Sequence, residues 1–126
     1  MEKRLILICD DEAGVRDSLK LILDPQYDLV YATNGEEALE ILKSGSSHPS
    51  LVIMDVKMPR MSGLDALKSM KKLKPELKVL IATGYESSDV TSQAINLGAN
   101  DYVVKPFDRF EIRSKVAALL GLAPQQ

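Results

Sequence analysis

Three aspartates and one lysine stand where apolar runs of this chain stop. Asp10 and Asp11 follow Leu5-Ile6-Leu7-Ile8-Cys9, Asp55 follows Leu51-Val52-Ile53-Met54, and Lys105 follows Asp101-Tyr102-Val103-Val104. Short, continuously apolar runs read as buried strands, and in an open α/β sheet the side chains at the carboxyl ends of strands converge on the ligand. Carboxylates brought together repel one another and take up protons unless a cation sits among them. An oxygen-only, highly charged donor set with open positions suits a hard divalent ion, Mg²⁺, which keeps waters and accepts phosphate oxygens. Mg²⁺ and Lys105 would together neutralise charge on a phosphoryl group. An aspartate, with its ordinary pKa of ~3.9, is ionised at neutral pH and needs no neighbouring base to act as nucleophile. The sole histidine, His48, lies in the Ser-rich stretch Ser44 to Ser50 and reads as an exposed loop residue, which argues against a histidine phosphocarrier or kinase.

The elements that must position these groups alternate in type. After the first apolar run, Val15, Leu19, Ile22 and Leu23 recur at helical spacing, and Asp24-Pro25 breaks the pattern. Tyr27 to Ala32 reads as a second strand. Asn34 is the N-cap of a helix running to about Lys43, with Glu37 three residues on. The central strand Leu51 to Met54 is apolar throughout, as expected where helices cover both faces of a sheet. Ser62 and Asp65 form a cap pair for a helix carrying Leu64, Leu67 and Met70. Val79 to Ala82 forms a fourth strand, and Val90, Ala94, Ile95 and Leu97 belong to a fourth helix closed by Gly98. Tyr102 to Val104 forms a fifth strand. Asp108, with Glu111 as partner, caps a last helix whose inner face is Ile112, Val116, Leu119 and Leu120. Five strand-helix units imply an α/β fold: a (βα)5 doubly wound, parallel five-stranded sheet of flavodoxin-like order 2-1-3-4-5 in a three-layer sandwich. Its switch point lies between strands one and three, the strands that end in Asp10-Asp11 and Asp55.

Composition narrows the function. At 126 residues the chain fits one domain, read here as residues 1–122 with 123–126 as a tail or the start of a linker. With 16 Lys plus Arg against 18 Asp plus Glu, the formal charge is -2, and direct nucleic-acid binding is not expected. The lone Cys9 is read as a packed core thiol in a reducing compartment. The N-terminal apolar run is too short for a signal-peptide core or a membrane span, so the chain reads as cytoplasmic, with no membrane partner.

Taken together, Asp10-Asp11, Asp55 with Met58-Pro59 and Ser62-Gly63, Thr83-Gly84, and Tyr102 with Lys105-Pro106-Phe107 resemble the receiver domain of bacterial two-component response regulators. The similarity runs from about Lys3 to Leu120. It implies that Asp55 is the phosphoacceptor for a phosphoryl group from a sensor histidine kinase or phosphotransfer protein. It implies that Asp11, Asp55 and the backbone carbonyl of Lys57 bind Mg²⁺, with Asp10 acting largely through a bound water. Lys105 would pair with the phosphoryl oxygens through a cis Lys105-Pro106 bond, Thr83 would donate its hydroxyl to the phosphoryl group, and Tyr102 would change rotamer as Thr83 moves. The output would be a population shift of the face formed by the fourth helix, fifth strand and fifth helix, where an effector domain or output protein would bind. Such a chain is a switch rather than a turnover enzyme, assisting only its own phosphotransfer and autodephosphorylation. Lys57 and Tyr85 would flank the path of attacking water and modulate phosphate lifetime. The fourth helix, read as Ser88 to Gly98, contains no Lys or Arg, which argues against a charge-paired dimer through this face; the oligomeric state stays open.

Each residue also has a plainer reading. Asp10-Asp11 could cap a helix, Asp55 and Thr83 could begin turns, and Tyr102 could be a packing aromatic. Lys57 reads as a solvated side chain, and Met54, Met58, Met61 and Met70 read as packing residues. Among other functions, an aspartate-nucleophile phosphatase of the haloacid dehalogenase type wants a second Asp where Lys57 stands. A flavodoxin wants a phosphate-cradling loop where two acids follow Cys9. A receiver-like module that binds partners without phosphorylation is the remaining alternative.

Overall fold

The computed structural model describes residues 3–58, 61–84 and 88–122. Met1 and Glu2, the Pro59-Arg60 part of the turn after Asp55, Tyr85 and the tail 123–126 therefore lie outside the described residues. Strands β1 (Leu5–Cys9), β2 (Asp28–Ala32), β3 (Leu51–Asp55), β4 (Lys78–Thr83) and β5 (Asp101–Val104) alternate with helices α1 (Ala13–Leu23), α2 (Gly35–Ser44), α3 (Gly63–Leu73), α4 (Ser88–Asn96) and α5 (Arg109–Leu119). All four strand pairings are parallel and the order is β2-β1-β3-β4-β5, as expected.

The period-2 alternation of the strands sorts their side chains into two cores. Leu7, Cys9, Val52, Met54, Val79 and Ile81 pack with α2, α3 and Ala94 of α4, whereas Ile6, Ile8, Leu51, Ile53, Leu80 and Ala82 pack with α1 and α5. Most are fully buried, and each buried Leu, Ile or Val side chain contributes ~1.5–3 kcal/mol relative to exposure. Because β1 and β3 are covered on both faces, their ends are fixed rigidly; β2 and β5 are the edges.

Helix starts follow the expected caps. The Asn34 side chain accepts from the Glu37 N–H at 2.8 Å, and the Glu37 carboxylate accepts from the Thr33 N–H, one residue before the cap. Ser62 accepts from the Asp65 N–H, and Asp108 from the N–H groups of Phe110 and Glu111. Gly98 has φ 106°, the left-handed conformation that ends a helix after α4. Boundaries differ modestly from the sequence reading. Tyr27 is buried but precedes β2, donating its N–H to Leu23 O; β4 extends to Lys78 and Thr83; β5 begins at Asp101; α2 continues to Ser44 and α4 ends at Asn96. Ile95 of α4 is exposed, unlike Ala94. The peptide bonds Asp24-Pro25 and Lys105-Pro106 are cis. Among the described residues no helix is long and apolar enough to cross a membrane.

Candidate functional site

The site sits on the carboxyl edge of the sheet, at the switch between β1 and β3. Backbone bonds fix its rim: Asp10 N–H donates to Ala32 O, Val56 N–H to Ala82 O, and Lys105 N–H to Thr83 O. Each carboxylate is therefore carried just where a fully paired strand runs out.

Asp10, Asp55 and Thr83 are the only buried polar or charged side chains among the described residues, 2%, 5% and 3% exposed. Burying two carboxylates demands a counter-charge, and Lys105 provides it. Its Nζ lies 3.1 Å from Asp10 Oδ2 and 3.3 Å from Asp55 Oδ2, spanning β1, β3 and the end of β5. The other carboxylate oxygens are also engaged. Asp10 Oδ1 accepts from the Glu12 N–H at 2.9 Å, and Asp55 Oδ1 from the Lys57 N–H at 3.3 Å. Arg16 donates to the carbonyl of Asp10 at 2.7 Å.

Burial raises the Asp55 pKa above the ordinary carboxylate value; the Lys105 charge opposes this, the Asp10 charge adds to it, and the hydrogen bonds from Lys57 N–H and Lys105 oppose it. Burial alone would depress the Lys105 ammonium, but its bond to Asp10 and the charges of Asp55 and Asp10 outweigh that, and its pKa is raised. A single cation shared between two buried acids leaves net negative charge, which invites a second cation.

The acids offer it a place. One carboxylate oxygen from each of Asp10, Asp11, Glu12 and Asp55 lies within 4.8 Å of the others. Asp11 and Glu12 are exposed while Asp10 and Asp55 are buried, so an ion here would have protein on one side and open positions on the other. This all-oxygen set with room for water fits Mg²⁺. Glu12 is a member that sequence reasoning missed. It occupies the N-cap of α1 without a side-chain capping bond, so its carboxylate is not committed to the helix; the run of three acids was the available signal.

Above the acids lies a cavity of about 350 Å³ lined by Asp11, Glu12, Asp55, Val56, Lys57, Thr83, Gly84, Val90 and Lys105. It gathers five of the sequence-derived candidates, Asp11, Asp55, Lys57, Thr83 and Lys105, with Asp10 joined through Lys105. The Lys57 side chain is exposed, as expected. Tyr102 does not line the cavity. It is 38% exposed on edge strand β5, with Lys115 Nζ of α5 5.1 Å from its ring centroid. Tyr85 lies outside the described residues. His48 is exposed, and Cys9 is a free, fully buried thiol.

Comparison with known proteins agrees with this geometry. The model of the response regulator receiver domain family matches residues 6–117. Sporulation initiation phosphotransferase F of Bacillus subtilis is 37% identical over 123 residues, covering 97% of this chain and 98% of that protein. Chemotaxis protein CheY of Thermotoga maritima is 40% identical over 109 residues, 85% of this chain and 88% of that one. Other relatives are longer: the chain spans 49% of the probable transcriptional regulator ycf27 of Porphyridium aerugineum, at 35% identity over 95% of its own length. Among solved structures, a response regulator receiver domain protein from Clostridium thermocellum superposes with a TM-score of 0.87 at 29% identity, covering 94% of each chain. With a family model that spans most of the chain and relatives matched over nearly their whole length, set on this parallel sheet, the chain belongs to the response regulator receiver domain family.

Proposed function

We propose that this chain is a phosphorylation-dependent switch whose phosphoacceptor is Asp55. The observation that carries the reading is the pair of buried carboxylates, Asp10 and Asp55, bridged by one Lys105 ammonium at the floor of an open cavity. In the proposed transfer, one Asp55 carboxylate oxygen attacks phosphorus of a phosphohistidine on a partner kinase or phosphotransfer protein. The P–O bond forms as the P–N bond breaks, and the electron pair returns to the imidazole. The product is an acyl phosphate, so the chain ends the step covalently altered and does not turn over.

Lys105 serves both states. Before transfer its charge offsets two acids; afterwards it is positioned to face the added phosphoryl oxygens. Asp11, Asp55 and the Lys57 carbonyl would hold Mg²⁺, with Asp10 acting through water, and the ion would supply positive charge against the phosphoryl group. The Thr83 hydroxyl, on the cavity wall at the end of β4, would donate to that group. Tyr102 would follow Thr83 between outward and inward rotamers, carrying the change to the α4-β5-α5 face, where an effector domain or output protein would bind. Lys57 and Tyr85 would set the lifetime of the phosphate by screening attacking water.

Intact mass spectrometry after incubation with Mg²⁺ and a small phosphodonor tests the reading. A mass gain of one phosphoryl group, labile to acid and base and absent from Asp55→Asn, is expected. The same gain in Asp55→Asn would move the acceptor elsewhere, and no gain in either protein would favour a partner-binding module that works without phosphorylation.

A further inference from the structure

One lysine outside the acidic site is arranged around the residue that would report on it. Lys115 reaches from the last half of α5 to the first residues of β5. Its Nζ donates to the Tyr102 carbonyl and to Asp101 Oδ1, the latter at 3.3 Å, and stands 5.1 Å from the centroid of the Tyr102 ring. The same Asp101 oxygen accepts the Tyr102 N–H at 2.8 Å. Tyr102 is thus gripped at its amide, its carbonyl and its ring by one ion pair.

We propose that Lys115 is a positioning residue of the switch, holding the Tyr102 ring outward and so weighting the equilibrium toward the resting state. This rests on the reading of Asp55, Thr83 and Tyr102 given above. The ion pair alone cannot be the reason for the arrangement. Its side chains are 25% and 37% exposed, and such a pair contributes little to stability. What distinguishes it is what it touches. An ammonium has three donors and no acceptor; two here are used on backbone and carboxylate, which pins Nζ in place. The charge then faces the Tyr102 ring, which is 38% exposed, and an inward turn of that ring would carry its face away from Nζ. When the ring turns inward, the backbone bonds at Asp101 and Tyr102 can persist, but the cation–π contact is lost. That contact therefore differs between the two states, which is the condition for a group to shift their populations. Tyr102 pairs with Ile81 across the β4–β5 ladder, two positions before Thr83, so the device acts on the strand next to the cavity.

Removing the contact should change the outward-to-inward equilibrium constant by about two- to fivefold, the range that ~0.5–1 kcal/mol at an exposed cation–π contact gives. Coupling is reciprocal, so a phosphoryl mimic should bind more tightly by about the same factor. The test uses ring ¹³C-labelled tyrosine NMR and titration with beryllium trifluoride in the presence of Mg²⁺, on the wild type, Lys115→Met and Lys115→Arg. Lys115→Met keeps the aliphatic stem and removes the charge; Lys115→Arg restores a cation over the ring. The expected result is a Tyr102 resonance displaced toward its activated position in resting Lys115→Met, with about two- to fivefold tighter binding of the mimic, and return toward wild type in Lys115→Arg. If Tyr102 moves in the wild type on adding the mimic but Lys115→Met matches wild type in both readouts, the role assigned to Lys115 is wrong. If the wild-type ring does not respond at all, the switch reading of Tyr102 fails and this inference with it.

Discussion

Gly63→Ala is the substitution for which the fold gives the sharpest prediction at the site. Gly63 is the first residue of α3, and its N–H donates to Val56 O at 2.8 Å, tying the helix to the end of β3. A Cβ added there would lie 2.3 Å from the Asp55 carbonyl oxygen, 2.6 Å from Val56 Cα and 3.0 Å from the Asp55 carbonyl carbon. Ordinary van der Waals contact begins near 3.4 Å, so relief requires a separation of about 1 Å, and all three neighbours are backbone. No rotamer can absorb it. Overpacking of this kind costs ~1–3 kcal/mol, and the fragment that must move is the one that carries Asp55. A displacement of about 1 Å of a reacting group can lower rate ~100-fold. Chemical denaturation reads the first effect, and the rate of mass gain with a small phosphodonor and Mg²⁺ reads the second. Gly63→Ala should be less stable and slower to phosphorylate, the rate falling more than the population of folded protein explains. A variant with wild-type midpoint and wild-type rate would refute the claim that close approach of α3 to β3 sets the position of Asp55.

Gly14, in the first turn of α1, has no neighbour within 4 Å of an added Cβ, and Gly14→Ala should raise stability by up to ~1 kcal/mol in the same denaturation assay. Asp108→Ala removes the acceptor of two helix-start N–H groups and should lower stability by ~1 kcal/mol, leaving the phosphorylation rate per folded molecule unchanged. The Cys9 thiol, buried beside Asp10 and Asn34 and pushed up from 9.0 to about 12, should be about a thousandfold less ionised at pH 8 than an ordinary thiol. Alkylation should then proceed only through unfolding, and labelling faster than unfolding would contradict it. Because the unfolded thiol ionises first, the native state holds the extra proton between those two values, and Cys9 lowers stability by about 1.4 kcal/mol per pH unit as pH rises through that window. Asp55 has the same sign at lower pH: its raised pKa means stability is greatest with the carboxyl protonated and is lost as pH rises through the native pKa. Lys105→Met removes the opposing charge, so with divalent cations chelated it should raise the Asp55 midpoint seen by carboxyl NMR and steepen the loss of stability from acid to neutral pH.

The sheet and most of its site were legible because both depend on local signals. Continuous apolar runs marked β1 and β3 as covered on both faces, so the acids ending them had to emerge at one edge. Asn34, Ser62 and Asp108 fixed helix starts through side chains a few residues from the groups they bind. What escaped was set by approach in three dimensions. Gly63 stands in the Ser62-Gly63 motif, but why a glycine is needed there shows only when α3 is laid against Val56. Glu12 extends the Asp10-Asp11 pair by one acid, and only the folded chain shows its carboxylate uncommitted beside Asp10 and Asp55. The partial exposure of Tyr102 was not legible, because four residues are too few to show which face of an edge strand is left bare. The grip of Lys115 on Tyr102 joins α5 to β5 across thirteen residues and has no signature in either segment.

The ion pair between Lys105 and Asp10 joins residues 95 positions apart in the chain. It closes a loop that contains α1 through β5, so the charge balance of the cavity cannot form in any fragment smaller than nearly the whole domain. Thermodynamically the site has no existence independent of the fold. Anything that binds it binds the native state alone and stabilises every strand at once, by ~2.7 kcal/mol at a free concentration 100 times its dissociation constant. A melting curve recorded against rising Mg²⁺, with no partner protein present, therefore doubles as a binding isotherm for each variant of the acidic cluster.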